Sequence, residues 1–225
     1  MTDLVSKTLE MAILAGKLKP RERLVELELS SKLKVSRFHI RKAFHEIARK
    51  GLIELFPNKG ARVVDPSEEE VEDMFFVRLN LEFLAAEVLM KKITPAKLEE
   101  IKRVQTEYRK ILKQGGFEEM ILKNEEFHQT LYEATENKFL QEFLHKVRNV
   151  TYFLRYNAYF LPGRPQKSAN DHQCMIRALE QRDLQKLKSV MKNSVLYPMN
   201  IYLKKRKTPE YVESRTEGRG GKKLE

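Results

Sequence analysis

The chain has 225 residues and a mass of 26.6 kDa, enough for one large domain or for a small domain joined to a medium one. Hydrophobic residues make up 41% and charged residues 33%, with 12 Phe, 8 Tyr and no Trp, which excludes a disordered polyelectrolyte and predicts a packed core. The longest apolar runs, such as Met11 to Ala15 and Met74 to Val77, fall far short of the roughly 20 residues that span a bilayer. The N-terminus also lacks a charged stretch followed by an uninterrupted apolar one, so the expected compartment is the cytoplasm. Cys174 stands alone, which excludes an intramolecular disulfide and a cysteine zinc knuckle and leaves it a semi-buried packing residue.

The net charge of +11 is unevenly spread. Residues 1–67 carry 14 Lys and Arg against 8 Asp and Glu; residues 68–203 are nearly balanced, at 21 against 20; and the stretch from Lys204 carries 8 against 4. A basic excess at the two ends points to a polyanion partner, because each cation that neutralises a phosphate releases a condensed counterion.

In chain order, Val5, Leu9, Ala12 and Ile13 recur at helical spacing, with Gly16 where a C-cap would stand. After Pro20, a short stretch around Leu24 and Val25 leads into a helix over 26–33 with Leu29 and Leu33 on one stripe. Ser36 is a good N-cap for the next helix, which carries Ile40, Phe44 and Ile47 on one side and Gly51 past its end. The period then changes: 52–56 and 61–64 are β-prone runs around Pro57, Asn58, Lys59 and Gly60, a hairpin. Three helices and a hairpin give a winged helix-turn-helix over residues 1–67.

Asp65, Pro66 and Ser67 break the pattern as a hinge, and Ser67 with Glu70 forms a capping box. From there the signals are helical: a long run with Val71, Met74, Phe75, Arg78 and Glu82; one opened by Thr94 and Pro95; a break at Gly115 and Gly116; a run to Thr135; one from Lys138 to about Phe160; a loop through Pro162, Gly163 and Pro165; and two helices divided near Asp183. The expected fold is therefore mainly α: the winged domain, an all-helical bundle of about six helices over 68–206, and a disordered basic tail over 207–225 containing Gly218, Gly220 and Gly221.

On the helix opened by Ser36, Arg37, Arg41 and Lys42 point away from the apolar stripe, and Phe38 and His39 lie near its N-terminal end. The second helix of a helix-turn-helix enters the major groove by that end. An arginine there can donate two hydrogen bonds to guanine O6 and N7, while Lys42 and the wing-tip Lys59 suit phosphate.

These residues carry a resemblance. Val35-Ser36-Arg37, Ile40-Arg41, Ala43, Gly51-Leu52-Ile53 and Asn58-Lys59-Gly60-Ala61-Arg62-Val63 resemble the DNA-binding domain of the GntR family of transcriptional regulators. The resemblance implies base and phosphate contacts for Arg37 and Arg41 and makes Gly60 the wing glycine. The chain departs from the family pattern in three places: Arg21 replaces the glycine usual after Lys-Pro, His39 replaces a proline or threonine, and Leu27 stands where many members have arginine.

In the helical part, Asn124 and His128 are four apart, so both project from one helix face and could turn toward one divalent ion, with His172 as a third ligand if the bundle brings it across. The aromatic set Tyr152, Phe153, Tyr156, Tyr159 and Phe160 reads as core and interface. The segment from 68 to about 203 resembles the FCD ligand-binding domain of the FadR subgroup, through Arg78, Glu82, Asn124 to His128, Leu131, Asn137, Asp171-His172, Ile176, Ala178-Leu179, Asp183 and Met191. It implies a homodimer, a metal such as zinc or nickel on Asn124, His128 and His172, and a small carboxylate effector beside it. The family's fourth ligand, a histidine, is here Ser194, so the ion would be held weakly or completed by water or the effector carboxylate. Arg78 is the candidate partner for that carboxylate, its alternative being an ion pair with Glu82.

The reading is a ligand-responsive DNA-binding transcriptional regulator with no catalytic residues. Two others compete: an all-helical metal-dependent hydrolase using Asp171 and His172 with His128, and a constitutive DNA-binding scaffold whose pocket is closed by the Ser194 change.

Overall fold

In the computed structural model, residues 1–14, 17–57, 59–159, 161–211 and 213 are described. The expectations placed on Gly16, Asn58, Phe160 and the glycines of the tail lie outside them. The elements run α1 (Thr2–Leu14), β1 (Arg23–Leu24), α2 (Glu26–Leu33), α3 (Arg37–Arg49), β2 (Ile53–Phe56) and β3 (Gly60–Val63). The helical part follows with α4 (Glu68–Lys92), α5 (Pro95–Gln114), α6 (Phe117–Glu133), α7 (Lys138–Val150), α8 (Tyr152–Tyr159), α9 (Arg164–Glu180) and α10 (Leu184–Arg206). The chain divides into two units.

The first unit contains residues 1–71 and also takes in 149–154 and the chain from Ile201. Its core follows the apolar stripes: Val5, Leu9 and Ile13 of α1 are buried with Ile40, Phe44 and Ile47 of α3 and with Leu24, Leu52, Ala61 and Val63. The turn between α2 and α3 is held by Ser30, whose hydroxyl donates to the Val35 carbonyl at 2.6 Å. The stretch around Leu24 is a third strand: the sheet order is β1-β3-β2, all antiparallel, with Arg23 opposite Arg62 and Glu54 opposite Arg62. β1 and β3 approach so closely at Gly60 that a Cβ there would lie 2.4 Å from the Leu24 carbonyl oxygen, and its φ of +86° independently favours glycine.

Arg21 adopts φ 67°, so the position where the resemblance implies glycine keeps a left-handed backbone under an arginine side chain. That side chain is used, since its Nε bonds Asp65 at 2.7 Å. Asp65, expected at the hinge, has its side chain buried within the first unit, where Arg206 donates to it at 2.8 Å and Tyr211 at 3.0 Å. Residues 207–211 were expected to begin a disordered tail, yet 209–211 are helical and Tyr211 is buried. A charged carboxylate out of water requires donors, and these residues supply them.

Among the described residues, the second unit, 72–148 with 155–200, is built of helices and connecting loops. Its core gathers Leu89 of α4, Ile101 and Val104 of α5, Phe127 and Leu131 of α6, Leu144 of α7, Ile176 of α9 and Met191 of α10. The capping box forms as expected: the Ser67 N–H donates to the Glu70 carboxylate at 2.7 Å, and the Glu70 N–H to the Ser67 hydroxyl at 3.1 Å. Thr94 caps α5 through the Lys97 N–H, with Pro95 next to it.

Among the described residues, seven helices lie between Ser67 and Arg206, where about six were expected. The run from Lys138 breaks at the fully buried Thr151, and residues 149–154 belong to the first unit. There the Gly51 Cα lies so close to the Val150 backbone that a Cβ would stand 2.9 Å from its carbonyl oxygen. Pro165, read as loop, opens α9, because a proline in the first helical turn removes an N–H that has no intrahelical partner.

Candidate functional site

Ser36 occupies the N-cap of α3 with extended geometry, but its side chain makes no cap bond; its carbonyl accepts from the His39 N–H at 3.0 Å. Arg37 and Arg41, one turn apart, are both more than half exposed, and both bind Glu26 of α2: Arg37 Nη2 at 3.2 Å and Arg41 Nε at 2.8 Å, on the same carboxylate oxygen. Partial burial would raise the Glu26 pKa, but hydrogen bonds from Arg41 and then Arg37 outweigh it and hold the carboxyl below its usual range. Exposed Lys42 lies over the Phe38 ring, 5.0 Å from its centroid. His39 is turned inward, with Nδ1 2.8 Å from the Thr2 hydroxyl, so the ring expected at the DNA has an internal partner.

Between α2, α3 and the wing lies a cavity of about 650 Å³, lined among others by Arg23, Glu26, Arg37, Arg41, His45 and Lys59. Arg23 Nη2 donates to the Lys59 carbonyl at 3.4 Å, and Arg62 lies over the Phe56 ring. Arg23, Arg62 and Glu26 were missed in the sequence. The strand alternation of the wing could have found Arg62, whereas Arg23 and Glu26 join the site by tertiary packing. A groove with four cations and one carboxylate suits a polyanion with hydrogen-bonding base edges.

In the second unit the structure brings Asn124, His128 and His172 together. His172 is fully buried and stacks on Phe127 at 3.7 Å between centroids, and the His128 and His172 rings are 5.2 Å apart, edge to face. The Gln105 amide donates to the Ala169 carbonyl at 2.8 Å, which directs its oxygen to His172 Nδ1 at 2.9 Å. His172 therefore carries its proton on Nδ1 and presents Nε2 as a lone pair, 3.5 Å from the Ser168 hydroxyl. That hydroxyl donates to Asn124 Oδ1 at 2.7 Å. Burial, followed by Arg148 for His128 and by Arg164 for His172, pushes both imidazoles well below their usual pKa and keeps them neutral. Ser194 is buried. Among the described residues no three His, Cys, Asp or Glu gather as a metal site; the donor set is two imidazoles and an amide oxygen.

A charged network adjoins these histidines. Arg78 and Glu82 are both buried, 3.6 Å apart, and Tyr132 donates to Glu82 at 2.6 Å. Arg148 bonds Glu125 at 2.7 Å, and Arg155 bonds the same carboxylate. Burial, then the nearby Arg148, lowers the Arg78 pKa to about 10 against the pull of Glu82. Burial would raise Glu125, but Arg148 and Arg155 outweigh it and hold the carboxylate far below its usual range. Arg78, Arg148 and Arg155 thus gather around Glu82 and Glu125. Asp171, the hydrolase candidate, is occupied by Lys167 at 2.9 Å and Arg164 at 3.5 Å. Ser168, Gln105, Arg148 and Arg155 were not singled out in the sequence; only Ser168, four residues before His172, had a spacing signal.

The family model described as FCD domain matches residues 73–196, more than half the chain, and the one described as bacterial regulatory proteins, gntR family, matches 2–63. The chain belongs to the GntR family and carries an FCD domain. This GntR regulator is 25% identical to the uncharacterized HTH-type transcriptional regulator YdhC of Bacillus subtilis, over 85% of its own length and 84% of the relative's. It is 24% identical to the HTH-type transcriptional repressor RspR of Escherichia coli, over 73% and 72%. The solved structure of E. coli McbR/YncC shares the fold, with a TM-score of 0.67, 18% identity and coverage of 91% and 97%. The GntR regulator is thus a DNA-binding transcriptional regulator with a winged helix-turn-helix and a helical FCD domain, and its family sets the hydrolase reading aside. Among the described residues no helix is long and apolar enough to cross a membrane.

Proposed function

We propose that this GntR regulator works in the cytoplasm as a homodimer, binds operator DNA with one half-site per protomer, and is switched by a small carboxylate effector in its FCD domain. At the duplex, Arg37 and Arg41 read bases, Ser36, Lys42, Lys59 and Gly60 meet the backbone, and His39 acts through its packing against Thr2. The observation that supports the effector class is the gathering of three guanidiniums, those of Arg78, Arg148 and Arg155, around Glu82 and Glu125 beside the two histidines. A carboxylate entering there would meet guanidiniums that can grip it with two hydrogen bonds.

Asn124, His128 and His172 fit a divalent ion such as zinc or nickel. Both rings are neutral, and the Gln105 bond to Nδ1 leaves His172 Nε2 as a donor atom, the orientation a ligating histidine needs. With Ser194 in the fourth position, the nearby arginines disfavour a lone cation, so the ion and the anionic effector support one another's binding. A bound ion would supply positive charge to hold the effector carboxylate.

Dimerisation is supported by two exposed apolar faces in the FCD domain, Phe76, Val77 and Leu84 on α4 and Phe139 and Phe143 on α7. Effector binding would shift the population of dimer arrangements and with it the match to two half-sites.

Thermal shift with a panel of small mono- and dicarboxylates, with zinc, with nickel and with chelator, tests the sensor. An effector at one hundred times its Kd should add about 2.7 kcal/mol of stability, and Arg78→Ala should abolish the shift. No shift under any condition would leave a constitutive DNA-binding scaffold.

A further inference from the structure

We infer that Glu26 is a positioning residue for DNA recognition: from α2 it holds Arg37 and Arg41 of α3 as one fork and makes binding by that fork depend on sequence. This rests on the DNA-facing reading of α3 given above.

Two guanidiniums from successive turns converge on one oxygen of one carboxylate, at 3.2 and 2.8 Å. Arginines that approach this closely on a basic surface repel each other, and a shared carboxylate removes that repulsion. The bonds also leave recognition capacity in place. Arg41 uses Nε rather than the terminal nitrogens that guanine O6 and N7 would take, and both side chains stay more than half exposed.

Two long, rotamer-rich side chains are therefore partly ordered before DNA arrives, which lowers the ordering cost of the specific complex. Glu26 is ionised near neutral pH, and hydrogen bonds from the two arginines hold its pKa lower still. Among the described residues that line the groove between α2, α3 and the wing, it is the one carboxylate beside four cations. Its charge opposes a phosphate entering the groove out of register, while it can accept a hydrogen bond from the cytosine amino group. The same residue thus favours the base-reading pose and penalises a purely electrostatic one.

A structural alternative is at hand, since Glu26 is the first residue of α2, where a negative charge stabilises the helix dipole, and Val25 supplies no side-chain cap. The two roles differ in what they change. A dipole role affects stability and leaves the ratio of specific to non-specific binding alone.

The test uses the full chain, an operator selected from a random-sequence library, and a random duplex of equal length, titrated by anisotropy across a salt series. Glu26→Gln keeps the shape and removes the charge. It should lower the specific to non-specific ratio about tenfold, mainly by tightening non-specific binding, and steepen the non-specific salt slope by about one unit as an arginine turns to phosphate. In an Arg37→Ala, Arg41→Ala background the same change should leave the ratio where that background put it, because the groups it positions are gone. An unchanged ratio and slope in the single variant, with or without a lower melting temperature, overturns the proposal, as does a full ratio loss that persists without the arginines. If the unaltered protein itself does not discriminate the operator from random DNA, the DNA-facing reading of α3 falls first, an outcome distinct from the failure of Glu26 alone.

Discussion

At position 60 a side chain has no room. The Cβ of an alanine would overlap the Leu24 carbonyl, a backbone atom of the neighbouring strand that cannot turn aside, at a φ that already disfavours it. Gly60→Ala should cost about 2 kcal/mol or more, read as a lower urea midpoint, and should loosen the wing. The residues of α3 separate by chemistry. Arg37→Ala should lose about 1 to 3 kcal/mol on the best operator and relax the sequence preference. Lys42→Ala should weaken all sequences alike and flatten the salt slope by about one unit. Anisotropy titrations against cognate and scrambled duplexes check both; equal effects of the two variants on all sequences would remove Arg37 from base recognition.

At the scale of elements, α4 and α5 begin where capping chemistry and apolar spacing agreed. Ser67 and Glu70 cap α4 reciprocally, so Ser67→Ala should cost about 1 kcal/mol in thermal or urea unfolding. Thr94 with Pro95 opens α5 in the same legible way. The break at Thr151 was not legible, because Val150 and Thr151 carry no Gly or Pro and the apolar period runs on through them; at the break Thr151 and Leu154 are buried, and 149–154 pack as part of the first unit. Arg23 shows the same limit, since two residues of strand become a strand only when β3 lies beside them. The exposed apolar faces of α4 and α7 make an element-scale prediction. Phe139→Asp with Phe143→Asp should weaken self-association by about 2 kcal/mol or more, roughly thirtyfold, in sedimentation equilibrium, with helix content intact. An unchanged association constant would move the dimer interface elsewhere.

For the whole molecule, acid is the informative stress. His128 and His172 are neutral in the folded protein, with pKa values well below 6.5 because burial outweighs every other influence. The unfolded chain takes up these protons first as pH falls, so the stability the two rings confer is complete above about pH 6.5 and is lost below it. The loss should reach about 1.4 kcal/mol per pH unit for each ring. Urea midpoints of chelator-treated protein between pH 7 and 5 should show that slope, and His172→Gln should halve it. A flat profile would mean that water reaches the rings.

The sequence alone determined most of the helices and the hairpin, the basic excess of the winged half, and the placing of Arg37 with Arg41 and of Asn124 with His128 on one helix each, because helical period, capping and charge are local properties that neighbouring residues express together. The tertiary structure decided which residues become partners. It placed Glu26 between two arginines and Gln105 against His172, surrounded Asp65 with Arg21, Arg206 and Tyr211, and joined Arg78, Arg148 and Arg155 in one buried network. These pairings span up to 146 residues. They follow from how whole helices pack, which no spacing within a single helix encodes.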